Sequence, residues 1–221
     1  MKNYITGCDK NTEWQLPWFI KNFDEHVKRK ENRLIIADFG MTPEMRRFAG
    51  QNGFILDVER NGWFSKVEAM MKVLYTMGSG YYCWLDTDCQ VLRNPNGLFG
   101  FVDENKITMV RDHPWSKRMP QRGYWYNSGV VAFNNERGNP NILNDWLKEC
   151  QTGNHRGDQE ALHYMFGIDG MRKVTSLSEA PHVYNVLRLD VLDETVPKHP
   201  AIMHWTGAKG NDEIRRQMNE Q

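Results

Sequence analysis

The stretch YYCWLDTDCQVL, residues 81–92, decides how the rest of the chain is read. A run of aromatic and apolar residues leads into Asp86, and Asp88 follows one residue later. A continuous apolar run bounded by polar residues reads as a strand buried on both faces. Two carboxylates at its carboxyl end need a positive partner, because an isolated carboxylate taken out of water costs several kcal/mol, roughly, even after relaxation. In an extended segment residues i and i+2 face the same side, so Asp86 and Asp88 are expected to face one centre. Two hard oxygen ligands suit Mg²⁺ or Mn²⁺, ions that often bridge to substrate phosphates. The plainer alternative is an Asp86 that caps a turn beside an exposed Asp88, and a bare D-x-D does not choose between them.

Upstream, NYITGC is a short β-prone run. A helix is predicted from Trp14 to Arg29, with Leu16, Phe19, Ile20, Phe23 and Val27 on one face. RLIIADFG is a second strand. TPEMRRFAGQNG is a helix that Thr42 caps, Pro43 opens and Gly53 follows. FILDV is a third strand, and WFSKVEAMMKVLYTMG is a helix capped by Ser65 and stopped by Gly78. This β-α-β-α-β-α-β alternation implies a mostly parallel sheet with helices on its faces. Ligands of such sheets bind beyond the carboxyl ends of the strands, where Asp38 and Asp86 both sit. Downstream, KITMV, YWYNSGVVAFN and AIMHW are predicted strands; NPNILNDWLKEC, GDQEALHYMF and the tail NDEIRRQMNEQ are predicted helices. No repeat or linker divides residues 1–221, which are read as one domain.

The 221 residues carry no net charge and are 40% hydrophobic. That balance argues against nucleic acid as a partner and against a polybasic membrane face. No signal-peptide stretch opens the chain, and no run approaches the ~20 apolar residues of a membrane span. The expectation is a cytoplasmic protein without stable membrane insertion. Cys8, Cys83, Cys89 and Cys150 form no C-x-x-C pair and read as reduced thiols.

WLDTDCQVLRNPNGLF resembles the D-x-D segment of GT-A-fold glycosyltransferases, above all family eight, the glycogenin and bacterial lipopolysaccharide galactosyltransferase group. YNSGVVAFN, GDQEAL, PHVYNV and AIMHWTGAKG are similar to later segments of that family, in its order, and WFSKVEAM is similar to its helix with a donor-contacting Lys or Arg. The resemblance covers most of the chain. It implies an α/β, Rossmann-like GT-A fold with a mostly parallel central sheet and a less regular acceptor-side second half. It also implies metal-dependent transfer of a sugar from a nucleotide-diphosphate donor, a UDP-sugar, to a hydroxyl of a carbohydrate or glycoconjugate, with retention of anomeric configuration. The implied ion is Mn²⁺, with Mg²⁺ as an alternative.

Residue by residue, the resemblance implies that His204 completes a metal site with Asp86 and Asp88. Asp86 and Thr87 then also face the donor. Gly207 and Lys209 would meet the diphosphate, although the Lys falls one residue earlier than in glycogenin-like sequences; Lys173 and Lys198 are possible substitutes. Lys66 would contact the donor, and Asn127, Ser128 and Gly129 would lie beside its sugar. Asp158 would hold a sugar hydroxyl, with Gln159 close to the anomeric carbon. Thr6, Gly7, Cys8 and Asp9 end the first strand, a place that suits base and ribose, and TGCDKN matches the family only in part.

Each assignment has a plainer alternative. His204 would be a core histidine, Asn-Ser-Gly a β-turn, Asp158 an N-cap and Lys66 a solvated lysine. Trp14 is read as packing. The segment RDHPWSKRMPQRGYW, residues 111–125, has no apolar periodicity and is read as a loop that binds or excludes the acceptor. Two other functions compete: a D-x-D phosphohydrolase, whose motif would continue Gly-Thr near the start of the chain, and a non-catalytic nucleotide-sugar-binding protein.

Overall fold

A computed structural model describes residues 1–59, 62–118, 120, 125–135, 141–166 and 177–220. The elements run β1 (Lys2–Cys8), α1 (Leu16–His26), β2 (Asn32–Asp38), α2 (Pro43–Asn52), β3 (Phe54–Asp57), α3 (Ser65–Thr76), β4 (Tyr81–Leu85) and β5 (Cys89–Val91). They continue β6 (Ile107–Arg111), α4 (His113–Arg118), β7 (Tyr126–Asn134), α5 (Asn141–Gln151), α6 (Asp158–Phe166) and β8 (Leu177–Glu179). The last are β9 (Val186–Leu187), α7 (Arg188–Leu192), β10 (Ile202–His204) and α8 (Gly207–Asn219).

The main sheet has the order β3-β2-β1-β4-β7-β6-β8. β3, β2, β1 and β4 are parallel neighbours, and β7 runs antiparallel to both β4 and β6. Alternate residues of each strand enter opposite cores, which is why these strands are apolar almost throughout. Ile5, Ile35, Trp84 and Phe133 pack on α3, α5 and α6 through Val67, Met70, Trp146 and Leu162. Tyr4, Leu34, Cys83 and Val130 pack on the other face against Leu16, Phe19 and Phe23 of α1. All four cysteines are free and buried. No helix among the described residues is long and apolar enough to cross a membrane.

Most predicted elements are present. The apolar face of α1 is buried as expected, but the helix is shorter: a 3-10 turn covers Glu13–Gln15, and Val27 leaves in extended conformation while remaining buried. Thr42 caps α2, its side chain accepting from Met45 N at 3.3 Å. Ser65 does not cap α3. A 3-10 turn, Gly62–Phe64, runs directly into the helix, so Ser65 is its first residue and donates back to Gly62 O at 3.0 Å. Asp38 is used by the fold: it accepts from Gly40 N and Met41 N, both at 2.8 Å, and pairs with Arg46.

The expected loop at 111–125 contains helix α4. Asp112 Oδ1 accepts from Trp115 N at 2.9 Å and Pro114 lies in the first turn. Asp-x-Pro was the local signal for that helix. A second sheet, order β5-β10-β9, was not foreseen. Its β10 strand was expected as AIMHW, but β5 and β9, three and two residues long, are too short for any periodicity to show.

Candidate active site

Asp86 leaves β4, and its carbonyl accepts from Cys89 N at 3.0 Å. The D-x-D segment is therefore a tight turn, not the extended segment expected. The turn sends β5 back to pair antiparallel with β10, Cys89 opposite His204. That pairing brings the carboxylates to one centre. His204 Nε2 lies 3.0 Å from Asp88 Oδ1 and 3.8 Å from Asp86 Oδ2. Asp88 O also accepts from Trp205 N at 3.0 Å, which ties the turn to the chain beyond β10.

The positive partner of Asp86 is Lys66, in the first turn of α3. Its Nζ is 3.0 Å from both Asp86 carboxylate oxygens, 3.3 Å from Ser128 O and 3.4 Å from Asp158 Oδ2. Trp84 Nε1 donates to Asp86 Oδ1 at 2.6 Å. Burial pushes the Asp86 carboxyl up, but Lys66, His204 and Trp84 together hold it below the usual range. Asp158 goes the other way: burial and the Asp86 charge outweigh Lys66 and raise it. Asp158 Oδ2 is buried without a well-aligned hydrogen-bond partner, with Lys66 Nζ 3.4 Å away as its counter-charge. Lys66, buried among these carboxylates, is held above the ordinary lysine value despite the cost of burial.

Asn127, Ser128 and Gly129 lie in strand β7, not in a turn. The β6–β7 pairing shifts at Met109/Val110, and such irregularities re-aim side chains. Asn127 Oδ1 accepts from Gly129 N at 2.9 Å, while Ser128 N donates to Gln159 Oε1 at 3.3 Å. Gly129 has a steric reason to be glycine: a Cβ there would lie 2.0 Å from His204 Cε1. The imidazole occupies the space that a side chain there would fill. Asp158 opens α6, and Trp146 Nε1 holds its carbonyl at 2.7 Å.

Two cavities meet at this centre. The larger, about 480 Å³, is lined by Gly7, Cys8, Asp9, Asn11, Gln15, Phe39, Thr87, Gly207 and Asn211. The smaller, about 310 Å³, is lined by Asp112, Trp115, Asn127, Ser128, Gly129, Asp158, Gln159, Leu187, Leu189, His204 and Thr206. Lys66, Asp86 and Asp88 line both. The model of the nucleotide-diphospho-sugar transferase family matches residues 66–218 of the sequence, which include the D-x-D turn, Asp158, Gln159 and His204.

The chain belongs to that family.

The transferase also shares its fold with solved structures. An active-site mutant of LgtC is 14% identical over 99% of this chain and 95% of that one, with a TM-score of 0.70. The galactosyltransferase LgtC in complex with donor and acceptor sugar analogues is 13% identical over the same shares, with a TM-score of 0.65. Apo GlyE of Streptococcus pneumoniae TIGR4 is 17% identical over 93% of this chain and 54% of that one, with a TM-score of 0.67. A search of curated proteins finds no match. The transferase is thus a GT-A-like α/β enzyme that uses nucleotide-diphospho-sugar donors.

Not every expected residue of the transferase reaches a cavity. Thr6 is fully buried and lines neither; its hydroxyl has no partner. Alternation along β1 turns Thr6 toward the face covered by α1. Lys209 is exposed in the first turn of α8 and lines neither cavity. Lys198 is likewise exposed, and Lys173 lies outside the described residues. Lys66 is the ammonium that the fold places at the centre. Gly207 does line the larger cavity, at φ +74°, a left-handed conformation that suits glycine. Trp14 packs, its ring 3.8 Å from the Arg215 guanidinium. Asp9 holds its own loop, accepting from Asn11 N at 2.9 Å and Thr12 N at 3.1 Å.

Ligand atoms of Asp88, Cys89 and His204 lie within 4.8 Å of one another, a spacing that fits a metal ion. This set shares Asp88 and His204 with the expected one. Burial pushes the Cys89 thiol well up, and Cys89 Sγ donates to Gly129 O at 3.7 Å, so it stays a protonated thiol. Carboxylate oxygens and one imidazole are donors suited to Mn²⁺ or Mg²⁺. Asp112, Gln15 and Asn185 were missed from sequence. Gln15 bridges Thr87 Oγ1, which donates to it at 2.7 Å, and Asn211 Oδ1 at 2.8 Å, joining the D-x-D turn to α8. No local pattern marks Gln15 or Asn185, because their partners are distant in the chain.

Proposed function

We propose that the transferase moves a sugar from a UDP-sugar to a hydroxyl of a carbohydrate or glycoconjugate, with a divalent cation and with retention. The observation that carries this reading is the junction of the two cavities at Lys66, Asp86 and Asp88. A volume of about 480 Å³ suits a nucleotide. The second cavity, beyond the junction, suits the donor sugar and the acceptor. The bond that breaks then lies beside the charged centre.

Asp88 and His204, with Asp86, are the residues that would hold Mn²⁺ or Mg²⁺. When bound, that ion supplies Lewis-acid stabilisation of the departing diphosphate. Lys66 adds a buried ammonium at the same place, where negative charge grows. Asp158 Oδ2 has an unused acceptor for a sugar hydroxyl. Gln159 is anchored by its amide oxygen on β7, which leaves its amide nitrogen to donate. Trp115, 42% exposed, offers an aromatic face on the acceptor side. The acceptor oxygen bonds to the anomeric carbon as the bond to phosphate breaks, and its proton passes to the departing phosphate.

The test is nucleotide release from UDP-, GDP- and CMP-sugars, with and without Mn²⁺, for wild type and Asp88→Ala. Turnover of one UDP-sugar that needs Mn²⁺ and fails in the variant is expected. No turnover, together with no Mn²⁺-dependent UDP binding by calorimetry, overturns the reading.

A further inference from the structure

Asn185 lines neither cavity, yet its amide joins two strands of the site. It is 1% exposed, between a 3-10 turn, His182–Tyr184, and β9. Its Nδ2 donates to Asn127 Oδ1 at 3.0 Å, and its Oδ1 lies 3.2 Å from His204 Nδ1. Asn127 Nδ2 in turn donates to Gln159 Oε1 at 3.4 Å. One chain of polar contacts therefore runs from the cation side to the sugar side.

The proton positions follow from one end of that chain. Gly129 N–H only donates, so the Asn127 atom it meets is oxygen. The Asn185 group that meets the same oxygen must be its NH₂. The other end of the Asn185 amide is then a carbonyl, and a carbonyl only accepts. His204 Nδ1 must carry a proton. In the neutral ring this leaves the lone pair on Nε2, 3.0 Å from Asp88 Oδ1. One cation closes that contact: a second ring proton on Nε2, or a divalent cation in its place. Ligand bonds of about 2.1 Å at right angles place two ligand atoms about 3.0 Å apart.

We propose that Asn185 is a positioning residue: it locks His204 in the tautomer that keeps Nε2 for a divalent cation, and it links that cation site to Asn127. This rests on the metal-dependent reading above. Buried partners of a ligating imidazole typically change metal affinity by 10–100-fold, roughly.

The experiment titrates wild type, Asn185→Ala and Asn185→Asp with Mn²⁺ alone, read by the electron paramagnetic resonance signal of free Mn²⁺. Melting temperatures and donor hydrolysis are measured on the same samples. Asn185→Ala is expected to weaken Mn²⁺ binding by about 10–100-fold. Asn185→Asp still accepts from Nδ1–H, so it is expected to bind Mn²⁺ within about threefold of wild type. It has no NH₂ for Asn127, so its kcat for donor hydrolysis falls while Mn²⁺ binding holds. In a His204→Ala background, Asn185→Ala is expected to cause no further loss of Mn²⁺ affinity. The proposal is overturned if Asn185→Ala binds Mn²⁺ like wild type, or if Asn185→Asp loses binding as far as Asn185→Ala does. If Asn185→Ala does not fold, Asn185→Asp alone decides. A wild type that binds no Mn²⁺ refutes the metal reading first, and the role of Asn185 with it.

Discussion

Lys66→Met removes the ammonium that stands between Asp86 and Asp158, and the structure sets the size of the effect. The ammonium lies 3.0 Å from Asp86 Oδ1 and 3.4 Å from Asp158 Oδ2, with side-chain exposures of 12% for Lys66, 26% for Asp86 and 8% for Asp158. At an effective dielectric of about 20, each contact is worth about 5 kcal/mol before desolvation is counted. Desolvation offsets much of that. Removing one partner of a buried pair typically costs about 3–5 kcal/mol, because the other charge stays buried and uncompensated. Asp158 offers a way out, since its carboxyl already sits above the usual range and rises further without Lys66. An acid whose folded pKa exceeds its unfolded one loses stability as pH rises through that interval. The penalty is therefore fully present at high pH and shrinks as pH falls and Asp158 takes up a proton. Urea unfolding without metal is expected to show a loss of about 3–5 kcal/mol at pH 8 and a smaller loss at pH 5. A loss below about 1 kcal/mol, equal at both pH values, would refute Lys66 as the resident counter-charge of the site.

Three further outcomes are expected. Gly129→Ala drives a methyl into the His204 ring, so Mn²⁺ binding by calorimetry should be lost and stability should fall by about 1–3 kcal/mol. Asp112, pushed up to about 6 mainly by burial, holds its proton more tightly in the folded state than at its ordinary value of 3.8. Stability should therefore fall between about pH 4 and pH 6 by up to about 3 kcal/mol, and Asp112→Asn, which keeps an acceptor for Trp115 N, should flatten that part of a pH-dependent unfolding series. Thr6→Val removes a buried hydroxyl without a partner, so the urea midpoint should stay or rise; a drop of more than about 1 kcal/mol would mean that the hydroxyl has a role.

Much of the fold was readable because its rules are local. Helix face, Thr42 cap, Gly53 and Gly78 ends and the apolar strands each follow from residues a few positions apart. The misses were local too where the signals overlapped. Ser65 looked like a cap because nothing in WFS tells a 3-10 turn from a loop, and the Asp112–Pro114 signal was hidden in a segment without apolar periodicity.

The candidate site divides along the same line. By itself the sequence determined which groups exist for chemistry: two carboxylates after a buried strand, an Asp-Gln pair opening a helix, and a histidine ending an apolar run. It did not determine how they meet. Only tertiary structure decided that the D-x-D turns back, that His204 faces Asp88 through the β5–β10 pairing, that Lys66 and not Lys209 holds the centre, and that Asn185 orients His204. The physical reason is range. Periodicity and capping act within a turn or two of chain, whereas a buried charge or an imidazole tautomer is set by whichever distant groups the packed strands bring within about 3 Å.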